Sequence, residues 1–193
     1  MAHDLGDQTQ AHYERHPYPA GTVLDWCPQV RHQLNYFSGR GGDAAIAPDA
    51  RILVAGCGTR EAALWGLQMP DAQVVGVDFS EASLTRSRAL VDALSLDHVT
   101  LQRADIMTLS PGDLGEPFDL IVSYGVVHHL RDPQEGLTRL GRLLTPDGLM
   151  QLMVYSATHR RPVRELDQIS DRLTPAGADA ETRVSALIAL ADE

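Results

Sequence analysis

Cysteine is nearly absent from this 193-residue chain, which has only Cys27 and Cys57. Cys57 lies inside a glycine turn, so no structural disulfide is expected and a reducing, cytoplasmic setting is. Positive charge is scarce as well. Sixteen Lys and Arg stand against 26 Asp and Glu, a formal net charge of −10. That balance argues against a nucleic-acid groove or an anionic membrane surface, since both need basic patches. A local basic strip, His159-Arg160-Arg161 with Arg164, remains on the acidic body. No apolar run approaches the length of a membrane span, and the polar start MAHDLGDQTQ lacks the apolar centre of a signal peptide. There is no internal repeat and no low-complexity tract. A content of 44% hydrophobic and 22% charged residues fits one globular domain with a real core.

The stretch RILVAGCGTRE, Arg51 to Glu61, organises what is present. Its apolar, branched start reads as a buried central strand. Gly56-Cys57-Gly58 makes a turn, and a helix follows over Arg60 to Met69. Such glycines let the backbone approach a ligand, and the free N–H groups of a helix start point toward it. A second strand, Gln73 to Val77, ends at Asp78, and Ser80 caps a helix to Leu96. Val99 to Gln102 and Phe118 to Tyr124 are further strands. Asp132-Pro133-Gln134-Glu135 opens a helix as a capping box with proline at the first helical position. Thr145 to Gly148 reads as a turn, and Leu149 to Tyr155 as a fifth strand. Two helices are expected beyond it, over about Arg161 to Leu173 and Ala180 to Ala191.

Strands alternating with helices predict an α/β fold: a doubly wound, mainly parallel sheet with helices on both faces. Ligands of such sheets bind beyond the carboxyl ends of the strands, where the strand order switches. The informative residues are therefore Gly56-Cys57-Gly58, Asp78-Phe79, Asp105-Ile106, and Ser123 through His129. Ahead of the sheet, Met1 to about Gln10 reads as a mobile tail and Gln29 to Phe37 as a short helix. The segment YERHPYPAGTVLDW, Tyr13 to Trp26, is dense in aromatics and prolines. Either it packs on the core through Tyr13, Tyr18 and Trp26, or it forms a lid over a small-molecule site.

Taken together, VAGCGT, VVGVDFS, RADI and FDLIVSYGVVHHLRDP followed by LTRLGRLLTPDGLM resemble four successive motifs of the class I S-adenosylmethionine (SAM)-dependent methyltransferases. The likeness covers about Arg51 to Tyr155, and YERHPYP is similar to an aromatic leading segment of one bacterial branch. It implies a Rossmann-like core over residues 49–158, an N-terminal arm or lid over 1–48, and C-terminal helices, whole or truncated, over 159–193. It implies SAM as cofactor and a small or medium-sized molecule as methyl acceptor. Gly56, Cys57 and Gly58 would border the methionine part, and Asp78 would accept from the ribose hydroxyls. Phe79 would lie along the adenine, Asp105 would take its amine with Ile106 beside it, and Ser123 and Tyr124 would complete the cofactor site. His128 is the candidate catalytic base; the alternative is a loop histidine that only positions the helix behind it. No acidic partner stands at a ligand spacing from His128-His129, so no metal is expected.

Two departures from the family pattern leave alternatives open. Arg60 stands where a third glycine is common, and the family normally adds a final antiparallel strand pair after strand five. Arg60 is then expected near the carboxylate of SAM. Leu149 to Tyr155 is expected as an unprotected edge strand, open to a homo- or hetero-oligomer. A non-catalytic SAM-binding subunit is the second reading. A nicotinamide dehydrogenase is third, because Glu61 occupies the place of its third glycine and would face a pyrophosphate.

Overall fold

Ile52, Leu53, Val54 and Ala55 are buried almost completely, so β1 (Arg51–Ala55) is covered on both faces. This computed structural model describes residues 2–18, 34–35, 38–39, 46–156, 158 and 161–191. β1 pairs in parallel with β2 (Gln73–Asp78) on one side and with β4 (Phe118–Tyr124) on the other. β3 (Val99–Arg103) and β5 (Leu144–Met153) complete a parallel sheet in the order β3-β2-β1-β4-β5. The order reverses between β1 and β4, which places the crevice of the fold at their carboxyl ends.

One face of the sheet carries Ile52, Val54, Val74, Leu120 and Val122, and packs against Trp65 of α2 (Glu61–Gln68) and Leu84 and Val91 of α3 (Glu81–Ala93). The other carries Leu53, Val75, Val77 and Ile121, and packs against Ile106, Leu109, Leu114, Leu140 and Leu143. Of these, Leu140 belongs to α4 (Pro133–Gly141). Helices thus lie on both faces, as the alternating pattern predicts. At the far end from the crevice, the Arg51 backbone N–H donates to Asp119 Oδ2, and its guanidinium donates to the carbonyls of Leu114 and Glu116.

Local chemistry explains most boundaries. Ser80 Oγ accepts from Ser83 N–H to start α3. That helix ends earlier than Leu96, because Ser95 turns left-handed at φ 53°. Asp132 Oδ1 accepts from Glu135 N–H and Pro133 opens α4, as expected. The Glu135 side chain, however, pairs with Arg139 at 2.8 Å. Residues 2–10, expected as a mobile tail, belong instead to α1 (Ala2–Arg15), whose last turn is held against α3. The expected turn at Thr145 to Gly148 lies within β5. Phe118 pairs with Leu144 and Leu120 with Leu149, so the intervening residues bulge out of register without ending the strand.

The chain divides into two compact units, Met1–Val154 and Tyr155–Glu193. The second is a hairpin of α5 (Arg161–Leu173) and α6 (Ala180–Ala191), over the ranges the sequence predicts. Arg183 joins the two helices through Asp171 at 2.8 Å and Asp167 at 3.9 Å. Trp26 and Cys27, most of the expected helix over Gln29 to Phe37, and His159-Arg160 of the basic strip lie outside the described residues. Of that helix, Leu34 and Asn35 are helical; Leu34 is buried and Asn35 Oδ1 accepts from Ile46 N–H.

Candidate active site

The glycine turn after β1 is built to leave backbone at the surface of the crevice. Gly56 and Gly58 have φ of 76° and 55°, a region that costs any residue with a Cβ. A Cβ on Gly56 would also overlap the methyl groups of Val126. The N–H groups of Gly56 and Cys57 both donate to the Val77 carbonyl, at 2.8 and 2.9 Å. Cys57 is buried within the turn, and that burial, with the charge of Asp78, pushes its thiol far above the usual range. The thiol stays protonated and acts as a small packing group.

Asp78 is the hub of the site. Its Oδ2 accepts from Gly58 N–H at 2.8 Å and its Oδ1 from Ser80 N–H at 2.9 Å, so one carboxylate ties the turn after β1 to the start of α3. Burial raises its pKa above the ordinary value, against the lowering effect of those N–H donors. Phe79 N–H acts on the same carboxylate, which with about four acceptor sites still has room for a further donor. The carbonyl of Asp78 accepts from Ala104 N–H at 3.0 Å, which ties the loop after β3, where Asp105 and Ile106 lie, to the end of β2. Asp105 is exposed and its Oδ1 accepts from Met107 N–H, while Ile106 is buried in the core. Phe79 is half-buried, with its ring edge-on to Tyr13 at 6.2 Å between centroids.

On the other side of the crevice, Ser123 donates its hydroxyl to the Ala55 carbonyl at 3.0 Å and joins β4 to β1. Gly125, at φ 73°, then turns the chain out of the strand. A short 3-10 helix, Val127–His129, follows, in which the rings of His128 and His129 lie 4.1 Å apart. His128 is half-buried and His129 exposed. Tyr13 reaches this side too, 6.5 Å from the ring of His129.

Three residues here carry weight although the sequence assigned them no role in the site: Val126 above Gly56, Glu14 of α1, and Glu61 at the start of α2. Burial pushes the Glu61 carboxyl up, against a hydrogen bond from the Trp65 side chain and the charge of Arg60. Tyr124 is pushed up first by burial and then by the charge of Glu61, so the two groups share one environment. A raised folded-state pKa means that Glu61 costs stability once pH rises above its ordinary range. Glu61→Gln, which keeps an oxygen for the Trp65 N–H, should therefore melt higher than wild type at pH 7. Thermal scans should show that gain shrinking as pH falls and gone below about pH 4; a gain that persists there contradicts the assignment.

Among the described residues, no group of three or more His, Cys, Asp or Glu is placed to hold a metal ion, and no helix is long and apolar enough to cross a membrane. A family described as a methyltransferase domain matches residues 53–150, just over half of the chain. The chain belongs to the class I SAM-dependent methyltransferases.

Relatives of this methyltransferase-family chain differ in what they are named for. An uncharacterized protein of Synechococcus sp. is 27% identical over 87% of this chain and 41% of its own length. The trans-aconitate 2-methyltransferase of Variovorax paradoxus is 27% identical over 80% of this chain and 66% of its own. The chain thus spans about two fifths to two thirds of these curated relatives. Among solved structures, PKMT2 from Rickettsia typhi in complex with AdoHcy aligns with a TM-score of 0.62 at 20% identity, over 92% of this chain and 35% of that one. At that identity the likeness speaks for the fold, and the methyltransferase Rossmann-like sheet is the fold observed.

Proposed function

We propose that this chain binds SAM across the ends of β1, β2 and β4 and transfers its methyl group to a small or medium-sized molecule by in-line displacement. The observation that carries this is Asp78, a buried carboxylate fixed between Gly58 and Ser80 N–H groups with lone pairs left over. The donor set fits the cofactor. Gly56 and Gly58 leave backbone open for the methionine part, Asp78 accepts from the ribose hydroxyls, Phe79 and Ile106 flank the adenine, and Asp105 takes its amine. SAM supplies a methyl group on a sulfonium, so the protein's main task is to hold donor and acceptor in line. Ser123 contributes by holding β4 against β1, and Tyr124 walls the crevice next to Glu61. Where the acceptor is a hydroxyl, an imidazole nitrogen of His128 takes its proton as the bond to the methyl forms.

Calorimetry with SAM, its product S-adenosylhomocysteine (SAH) and NAD tests the binding step. Micromolar SAM and SAH with NAD silent is expected; tight NAD or no SAM binding overturns the proposal. Transfer of labelled methyl from SAM to a panel of small carboxylic acids, amines and hydroxy compounds then tests the reaction. A small acid leads the panel, since one relative is named for trans-aconitate. A second reading, a SAM-binding subunit without turnover, is favoured by Arg60 in place of the third glycine. It predicts SAM binding, no product with any acceptor, and assembly with another chain through β5, the edge strand on which Leu152 and Met153 are exposed.

A further inference from the structure

Glu14 sits in the last turn of α1, where the negative end of the helix dipole makes an acid unfavourable. Its carboxylate is well placed for a different helix. Oε1 accepts from Glu81 N–H at 2.9 Å and Oε2 from Ala82 N–H at 3.1 Å, at the positive start of α3. With Ser83 N–H given to Ser80 Oγ and Ser80 N–H to Asp78, the opening donors of α3 are all used within the protein. The same turn of α1 is held at a second point, where Ser80 donates its hydroxyl to the Tyr13 carbonyl at 3.4 Å. Farther along, Thr59 N–H of the glycine turn donates to the Tyr18 carbonyl at 3.3 Å.

The arm therefore touches the loops after β1, β2 and β4. Tyr13 is its pivot, edge-on to Phe79 from the β2 side and to His129 from the β4 side. We propose that Glu14 is a positioning residue that fastens α1 across the crevice, and that Tyr13, so held, closes the opening between Phe79 and His129. This inference rests on the SAM reading. Tyr13 then slows cofactor release and decides how bulky an acceptor can reach His128. The ionised carboxylate suits this fastening because it offers an acceptor to each of two neighbouring N–H groups, which a neutral side chain does not.

The test follows SAH release from the full chain together with amide exchange at Glu81 and Ala82. Loss of two charge-assisted hydrogen bonds in Glu14→Ala should speed SAH release roughly tenfold and speed exchange at both amides. Glu14→Gln keeps one acceptor oxygen and should fall between. Tyr13→Ala leaves the Glu14 bonds in place and should speed SAH release with exchange at Glu81 and Ala82 unchanged, a separation that a purely structural role for the arm does not produce. Unchanged SAH release in both Glu14→Ala and Tyr13→Ala overturns this inference and leaves the SAM reading standing. A wild-type chain that binds no SAH overturns both.

Discussion

Asp78→Ala should cost the protein stability and cofactor affinity together. In the fold, the substitution leaves Gly58 N–H and Ser80 N–H without their acceptor inside a site where Asp78 is only 8% exposed. Each buried unpaired donor costs about 1–3 kcal/mol. In the site, the proposed bonds to the ribose hydroxyls are lost as well, which should weaken SAH binding by roughly tenfold to a hundredfold. Asp78→Asn retains one acceptor oxygen and should recover part of the stability while binding SAH poorly. Calorimetry that finds unchanged SAH affinity in a folded Asp78→Asn protein contradicts the ribose role.

The pH dependence gives a second handle on the same residue. Burial raises the Asp78 pKa, so the folded protein holds this proton more tightly than the unfolded chain. Its contribution to stability is present below the ordinary carboxylate value and is lost as pH rises through the raised one. Cofactor binding should move the other way, since the ionised carboxylate is the stronger acceptor. As pH falls from neutral toward the ordinary range near about 4, SAH affinity should drop while the Asp78 contribution to stability grows. A parallel loss of both assigns the pH effect to other groups.

Gly56→Ala is the second large effect expected. Any side chain there adopts a left-handed backbone at about 1–2 kcal/mol, and the new methyl meets Val126, an overpacking penalty of about 1–3 kcal/mol. A fall in melting temperature on the order of 10 °C follows for a chain of this size. Val126 immediately precedes the 3-10 helix that carries His128, so displacing it also moves the β4 side of the crevice. The double variant Gly56→Ala with Val126→Ala separates the two causes: truncating Val126 should relieve the overlap and leave the backbone cost in place. If the double variant is no more stable than the sum of the two single losses predicts, the Val126 contact is not what makes Gly56 necessary.

Much of this architecture is legible along the chain because its causes are local. β4 runs over Phe118 to Tyr124 as its apolar pattern predicts, and α4 begins at Pro133 because Asp132 can cap it within three residues. The α5 and α6 ranges follow from the same short-range periodicity. The strand-end motifs likewise placed Asp78, Phe79, Asp105 and Ser123 at the same end of the sheet. Other features depend on partners far away in sequence. Asp78 receives Gly58 N–H from 20 residues away, Ser123 reaches Ala55 across 68, and Glu14 meets Glu81 across 67. No periodicity encodes such pairs, because they exist only once the sheet order has brought the loops together.

The same distinction accounts for two of the local expectations that changed. Thr145 to Gly148 has the composition of a turn, yet the strand continues because β4 supplies a partner for Leu144 before the bulge and for Leu149 after it. Residues 2–10 are largely polar, yet they continue into a helix whose far end is pinned by the start of α3. Sequence by itself determined most of the elements and the fold class, since propensity, capping and hydrophobic period act within a few residues. Only the tertiary structure decided the strand order, the hydrogen bonds that occupy Asp78, the seat of Val126 on Gly56 and the hold of Glu14 on the start of α3, because each requires two distant segments to compete for the same donors and the same space.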